Sequence, residues 1–429
     1  MNPEQEERAA IMEIDGGLSR EAAEKSAMAA KDEGSAVAHP NLEIRNRFLN
    51  AWVESISLVT DADPVLILFG GLGILSALLH KSFFYAPEKT HLNLYLFNLG
   101  PSSAPRKTTV INIVGRYLRD VAPDLILPDE FTSESLTACL AVQNHGTILS
   151  RELNHFLEQV LGPEYNKGLS SGLGNIYDGT PYKRFTKQDG FVEVKDPVLT
   201  IVGAGVDQFL VAKLKKIDFV SGFWPRVTLI RLKDRPVREW RAPGFFTPLP
   251  PILDQLRKIN AVKGGEIGYL EIQPGLVPYI AQLHEEAKTL KNPNLVIAYL
   301  RLEWILIKIA ALLELADRPE SKTISPEAFD DAVILTDYIR TGLPTFYEER
   351  LRESEEAKLA AWALDLIKKR DKDGALWVPY RTILRHSNAD TQKLKTALER
   401  LLVTEECEQT DIPATKLGGR PGKAYRSIK

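Results

Sequence analysis

The stretch "LNLYLFNLGPSSAPRKTTVINIVGRYLRDV", Leu92–Val121, constrains the fold more than any other. Its first part is a short, almost unbroken apolar run, which reads as a strand buried on both faces, as a parallel sheet requires. Its last part, "VINIVGRYLRDV", has helical spacing. Between them lies "GPSSAPRKTT", Gly100–Thr109. A strand, a loop ending in Lys-Thr and then a helix is the setting in which main-chain N–H groups and a helix N-terminus cradle a phosphate. In the standard pattern, G-x-x-x-x-G-K-[ST], the lysine reaches the outer phosphates and the hydroxyl binds Mg2+. Here Gly100 stands one position too far from Lys107, and Arg106 replaces the second glycine. Pro101 and Pro105 have no N–H to donate. The hydroxyls of Ser102 and Ser103 are candidate replacements, and Arg106 adds charge. Two readings fit the pattern. One is a phosphate loop built from Gly100, Ser102, Ser103, Arg106, Lys107, Thr108 and Thr109, with Thr108 as metal ligand. The other is an ordinary strand-to-helix turn.

From about His91, short apolar runs alternate with helical segments: "LNLYLFNL", "GTILS", "PVLTIVGAG" and "RVTLIRL". Strands interleaved with helices predict an α/β layer with a largely parallel sheet. The second run ends in "SREL". Glu152 is therefore a candidate for polarising an attacking water, although Arg151 occupies the place of a metal-binding Asp. The alternative is a solvated Arg-Glu pair at a strand end. Arg226, in "GFWPR", is a candidate finger that stabilises charge on a neighbouring subunit's phosphate. The alternative is pairing with a nearby acid such as Asp234.

The pattern divides the chain into a polar segment over 1–40, with a short helix capped by Ser19, and a helical region over 41–88. An α/β core over 89–245, a helical lid or collar over 246–352 and a terminal module over 353–429 follow. The Pro-rich "RAPGFFTPLPP" marks the end of the core. Ser325-Pro326-Glu327 is a cap with proline at the first helical position. The last module orders its elements as helix, short strand, helix, helix and a two-stranded tip, the order of a winged helix. Lys416, Arg420, Lys423, Arg426 and Lys429 lie on that tip without an intervening acid. With Lys393 and Lys395 they form a candidate DNA grip. A basic tail or a protein-binding module fits the same residues.

Composition narrows the function classes. Lys and Arg number 54 against 57 Asp and Glu, a net charge of −3, so any nucleic-acid contact must be a local patch. Two cysteines, Cys139 and Cys407, support neither a disulfide framework nor a thiolate metal cluster. No HExxH or CxxC spacing occurs. The N-terminus lacks the pattern of a signal peptide. The longest apolar run, Pro64–Leu79, is shorter than the ~20 residues of a spanning helix. A buried core helix and a cytoplasmic protein are the expectations.

In this order, "LNLYLFNLGPSSAPRKTT", "GTILSRELNHFL", "NIYDGTPYKRFT", "DPVLTIVGAG" and "SGFWPR" resemble a family of P-loop primase/helicase-like proteins of plasmids, phages and integrated elements. "GRPGKAY" resembles the wing of a winged helix often found at their C-termini, and "IMEIDGGLSREAAEKSA" a segment of primase-associated replication proteins. That family also carries Arg-Lys-Thr in place of Gly-Lys-Thr. The resemblance implies an α/β fold with a RecA/AAA+-like P-loop NTPase core, flanking helical regions and a C-terminal winged helix. It implies ATP and Mg2+ at Lys107 and Thr108, Glu152 as the strand-end acid and Arg226 as the finger. It further implies DNA as partner and a homo-oligomeric ring, hexameric by expectation, acting as a helicase-like DNA-dependent ATPase of a mobile element. Two rivals remain open: a hydrolysis-deficient DNA-binding scaffold for a primase or polymerase, and a winged-helix transcriptional regulator.

Overall fold

The computed structural model describes residues 42–85, 88–100, 106–161, 168–186, 190–206, 210, 223–232, 247–370, 377–403, 407–412 and 422–428. Ser19, Ser102, Ser103, Asp234, Lys416, Arg420 and Lys429 lie outside the described residues. The chain divides into two compact units, Met1–Ile44 and Arg45–Lys429, and every element below belongs to the second.

Helix α1 spans Arg47–Ser57 and α2 spans Pro64–Leu78. The Asp63 side chain accepts from the Val65 N–H at 2.9 Å, and Pro64 opens α2 where a missing N–H is harmless. Every residue of α2 after Pro64 is buried. Its glycines mark where the backbone meets its neighbours. A Cβ on Gly71 would lie 2.7 Å from Trp52 Cδ1, and one on Gly73 2.8 Å from Val202 Cγ2. The helix that reads as uniformly apolar is thus a core helix. Among the described residues, no helix is long and apolar enough to cross a membrane.

Strands β1 (Ser82–Tyr85) and β2 (Lys89–His91) form a small antiparallel pair. The central sheet contains β3 (Tyr95–Leu99), β4 (His145–Ser150), β7 (Val198–Gly205) and β8 (Val227–Arg231). All four run parallel, in the order β4-β7-β3-β8. The expected mixed α/β architecture with a parallel sheet is present. Helices α3 (Lys107–Val121) and α4 (Ser133–Gln143) connect β3 to β4. Helices α5 (Leu153–Leu161) and α6 (Leu169–Tyr177), with the hairpin β5 (Tyr182–Thr186) and β6 (Gly190–Val194), connect β4 to β7.

Alternation along β7 assigns the two faces. Val202 faces α2 and α3, where it meets Gly73 and Ile111. Gly203 and Gly205 face α5, where an added Cβ would lie 2.4 Å and 3.0 Å from Leu153. On the α5 face, Phe97 of β3 packs edge-on against Phe156 and Trp224, with ring centroids 5.8 Å and 6.0 Å away. Both faces are covered, which accounts for the largely apolar character of β3.

Beyond the sheet come α7 (Pro250–Asn260), β9 (Gly265–Glu266), α8 (Gln273–Thr289), α9 (Pro293–Asp317) and α10 (Pro326–Pro344). This stretch is joined to the region before the sheet. β9 pairs with β1, and Asp317 accepts from the Arg47 and Phe48 N–H groups at 2.9 and 3.0 Å. Asp331 accepts from the Asn46 N–H at 2.8 Å. Carboxylates from α9 and α10 thereby cap the N-terminus of α1, where the dipole favours negative charge.

The last elements are α11 (Leu351–Arg370), β10 (Val378–Pro379), α12 (Tyr380–His386), α13 (Thr391–Val403), β11 (Cys407–Ile412) and β12 (Gly422–Ser427). The strands form an antiparallel sheet ordered β10-β12-β11. They enclose a core of their own that includes Ile367, Ile383, Leu394, Leu398 and Tyr425.

His80, at the end of α2, stacks on His145 at the start of β4, with ring centroids 4.0 Å apart. Burial first, then repulsion from His145, pushes the His80 pKa down to about 4, and burial pushes His91 and His145 the same way. In the unfolded chain these rings take up protons near pH ~6.5. The unfolded state therefore binds more protons between about pH 6.5 and 4, and stability falls as pH falls through that window. Urea unfolding midpoints at pH 7.5, 5.5 and 4.5 should decrease in that order, and His80→Gln should flatten the decline.

Candidate functional site

Strand β3 ends at Leu99, and α3 begins at Lys107. Arg106, just before the helix, has φ 55° and ψ 36°, a left-handed conformation. Glycine adopts it freely, whereas a side chain there costs about 1 kcal/mol. Thus the backbone at the position that a standard phosphate loop fills with glycine keeps glycine's conformation, and an arginine occupies it. Its guanidinium Nε lies 3.2 Å from Asp61 Oδ1, which ties the loop to the segment between α1 and α2. Lys107 is buried, and its ammonium donates to the Gly100 carbonyl at 2.9 Å. A neutral carbonyl is a weak partner for a cation, and an anion at the loop would displace it. Thr108 is exposed on the first turn of α3, and Thr109 is half-buried.

Strand β4 delivers Ser150, Arg151 and Glu152 to the same edge, because its neighbours run parallel to it. Ser150 is buried, and Arg151 and Glu152 are exposed. The Glu152 carbonyl accepts from the His155 and Phe156 N–H groups, so Glu152 opens α5. Arg151 Nε donates to Asn112 Oδ1 on α3 at 2.9 Å. A guanidinium, not a carboxylate, connects the strand end to the loop helix. The edge therefore gathers Arg106, Lys107 and Arg151 beside the positive end of the α3 dipole, an environment that suits an anion. Among the described residues, no group of three or more His, Cys, Asp or Glu side chains could hold a metal.

Arg226 lies elsewhere. It closes the turn Trp224–Arg226 before β8, at the sheet edge opposite the loop. β3 has five residues, so the two edges are about 16 Å apart. Asp178 holds the Arg226 guanidinium in a two-pronged ion pair, with Nε donating to Oδ1 at 2.9 Å. Below it lies Lys308, a lysine in the middle of α9 that is 1% exposed. Its ammonium donates to Asn93 O and Oδ1 at 2.9 and 3.0 Å, and lies 3.7 Å from the centre of the Tyr177 ring. Asn93 in turn donates to the carbonyls of Tyr177 and Leu199. Burial holds the Lys308 pKa well below the ordinary lysine value. The signal for this cluster is a lone lysine inside "WILIKIAALL". Helical periodicity cannot show what faces it.

In the C-terminal module, Lys393 and Lys395 are exposed on α13. Lys423 is exposed on β12 and reaches Gln409 Oε1 at 3.3 Å. Arg426 is engaged within the module, ion-paired to Glu408 at 2.9 Å and 4.8 Å from the centre of the Trp377 ring. Opposite Lys423 and Arg426, β11 places Asp411 and Glu408.

Asp178→Ala removes one carboxylate from an Arg226 side chain that is only 13% exposed. Asp178→Ala should lower the unfolding free energy by about 2 kcal/mol, less than the ~3–5 kcal/mol of a fully buried pair because Asp178 is one-third exposed. Urea denaturation with an unchanged m-value would measure this.

The chain matches no protein-family model and no curated protein. The Orc1 protein of Aeropyrum pernix, determined in complex with DNA, is 15% identical and aligns over 88% of this chain and 92% of its own, with a TM-score of 0.21.

Proposed function

We propose that this chain binds a nucleoside triphosphate at the Gly100–Lys107 loop and acts on DNA, as a P-loop protein with a RecA/AAA+-like core and a C-terminal winged helix. The observation that carries this reading is Arg106 in glycine's left-handed conformation immediately before a buried lysine, at the carboxyl edge of the central parallel strand. Ligands of open parallel sheets bind at that edge. In this reading Lys107 leaves the Gly100 carbonyl for the outer phosphates. The N-terminal N–H groups of α3, with Thr108 and Thr109, receive the inner ones. Arg106 and Arg151 supply charge where standard loops use main-chain donors.

The residues present fit the nucleotide's anionic end better than a protein-held Mg2+. Thr108 offers one hydroxyl, and Arg151 occupies the place of the metal-binding acid. Any Mg2+ therefore arrives with ATP. Glu152 remains the group for orienting a water. Arg226 belongs to the trans arrangement of a homo-oligomeric ring, and reaching a neighbour's nucleotide requires its release from Asp178. The basic faces of α13 and β12, through Lys393, Lys395 and Lys423, are the proposed DNA contacts. Arg426 positions the tip through Glu408 and Trp377.

Arg151 favours a second reading, in which the protein binds nucleotide without hydrolysing it and serves as a DNA-binding scaffold for a primase or polymerase. Titration with a fluorescent ATP analogue tests the common element. Lys107→Ala should weaken binding at least tenfold, with the thermal midpoint of the free protein unchanged within about 2 °C. Wild-type protein that binds no nucleotide would overturn both readings. DNA-stimulated phosphate release then separates them: a motor releases phosphate, and a scaffold does not.

A further inference from the structure

The hairpin β5–β6 leaves the core between α6 and β7, and its two faces differ. Its inner face is packed: Val194 is buried, and the Tyr182 ring lies about 3.1 Å from where a Cβ on Gly172 of α6 would stand. Its exit is clamped. Asp196, at φ 51°, accepts from Lys89 Nζ at 2.5 Å and pairs with His91 Nε2 at 2.8 Å. Burial opposes ionisation of Asp196, yet the hydrogen bonds from His91 and Lys89 lower its pKa, so the clamp is charged. The outer face carries Lys183, Phe185, Phe191 and Glu193, because alternate residues of a strand share a face. Phe185 and Phe191 stand directly opposite each other across the strand pair. They are 73% and 63% exposed, and no other phenylalanine is exposed among the described residues.

A cross-strand phenylalanine pair held in water on a hairpin anchored at its base and inner face adds nothing to the core. Apolar surface kept out in this way marks an interaction site. Its surroundings indicate the partner. Outside the turn, the hairpin and its exit carry Lys183, Arg184 and Lys195 against Glu193 and Asp196, and Asp196 is engaged by Lys89 and His91, which leaves a small local positive balance in a chain of net charge −3. Lys183 Nζ lies 6.0 Å from the centre of the Phe191 ring and 3.3 Å from Glu193 Oε1. Aromatic faces interleaved with cations match single-stranded nucleic acid, whose unpaired bases expose π-faces beside a run of phosphates. A duplex keeps those faces stacked inside.

We propose that the outer face of the β5–β6 hairpin is a stacking platform for single-stranded nucleic acid. Unpaired bases lie on Phe185 and Phe191, and Lys183 exchanges Glu193 for a phosphate. This deepens the DNA reading above and does not depend on the nucleotide loop.

Fluorescence anisotropy with the full chain, using a labelled oligothymidine and a labelled duplex of equal length, tests the proposal. Stacking contributes about 1–3 kcal/mol per base, so Phe185→Ala/Phe191→Ala should weaken oligothymidine binding at least about tenfold. Duplex and nucleotide binding should be unchanged. Glu193→Gln frees Lys183 and should strengthen oligothymidine binding severalfold, with a steeper salt dependence. Equal oligothymidine affinity in wild type and the double variant would overturn the platform. So would a double variant that loses an oligomeric state while keeping oligothymidine affinity, because the phenylalanines would then be a subunit contact. Failure of the broader reading looks different: the wild type would bind neither nucleotide nor duplex.

Discussion

The four strands of the central sheet all run in one direction, and that constraint decides which side chains of this protein can meet. A parallel sheet gathers the carboxyl ends of its strands on one edge and the amino ends on the other. Gly100, Lys107, Arg151 and Glu152 therefore share an edge although they come from separate connections. Asn93, His145 and Arg226 are sent to the opposite edge by the same rule. The sheet can hold this arrangement because both faces are covered. The close approaches at Gly73, Gly203 and Gly205 bring α2 and α5 against β7.

The two edges use charge differently. At the carboxyl edge, cations stand near the helix N-terminus, and their contacts include a carbonyl for Lys107, an amide oxygen for Arg151 and a carboxylate for Arg106. At the amino edge, charge is locked. Arg226 is held by Asp178, and Lys308 is buried against Asn93 and the face of Tyr177. Burying a lysine against neutral partners is expensive, which is why burial pushes the Lys308 pKa down, and such a side chain persists only where surrounding groups fix it. Asn93 bonds Lys308, Tyr177 and Leu199 together, so it links α9, α6 and β7 at one point.

Much of the architecture was legible beforehand because period and punctuation are local. The apolar run before Gly100, the strand ending at Ser150, the Ser325-Pro326 helix start and the core character of Pro64–Leu79 all follow from neighbouring residues. The candidate loop was legible as a pattern, but its glycine-like backbone at Arg106 was not, because sequence gives residue type and not φ. Arg226 was read as facing a neighbour or pairing with Asp234. Its observed partner, Asp178, is 48 residues away and is brought near only by the packing of α6. Arg426 looked like part of a basic tip. The strand register that opposes it to Glu408 cannot be read from the tip alone.

By itself, then, the sequence determined the four strands of the parallel sheet with helices between them, the buried helix, the position of the loop and the run of cations toward the C-terminus. Each of these depends on residues within one or two turns of each other. Tertiary structure alone decided which group each charge meets, because an ion pair depends on distance in space. It also decided that Lys308 is buried while Phe185 and Phe191 are exposed, an inversion of ordinary preference that no hydropathy pattern reveals. The reason is packing: α9 is buried without interruption from Ile305 to Ala316, whereas the outer face of the β5–β6 hairpin leaves both phenylalanines largely in solvent.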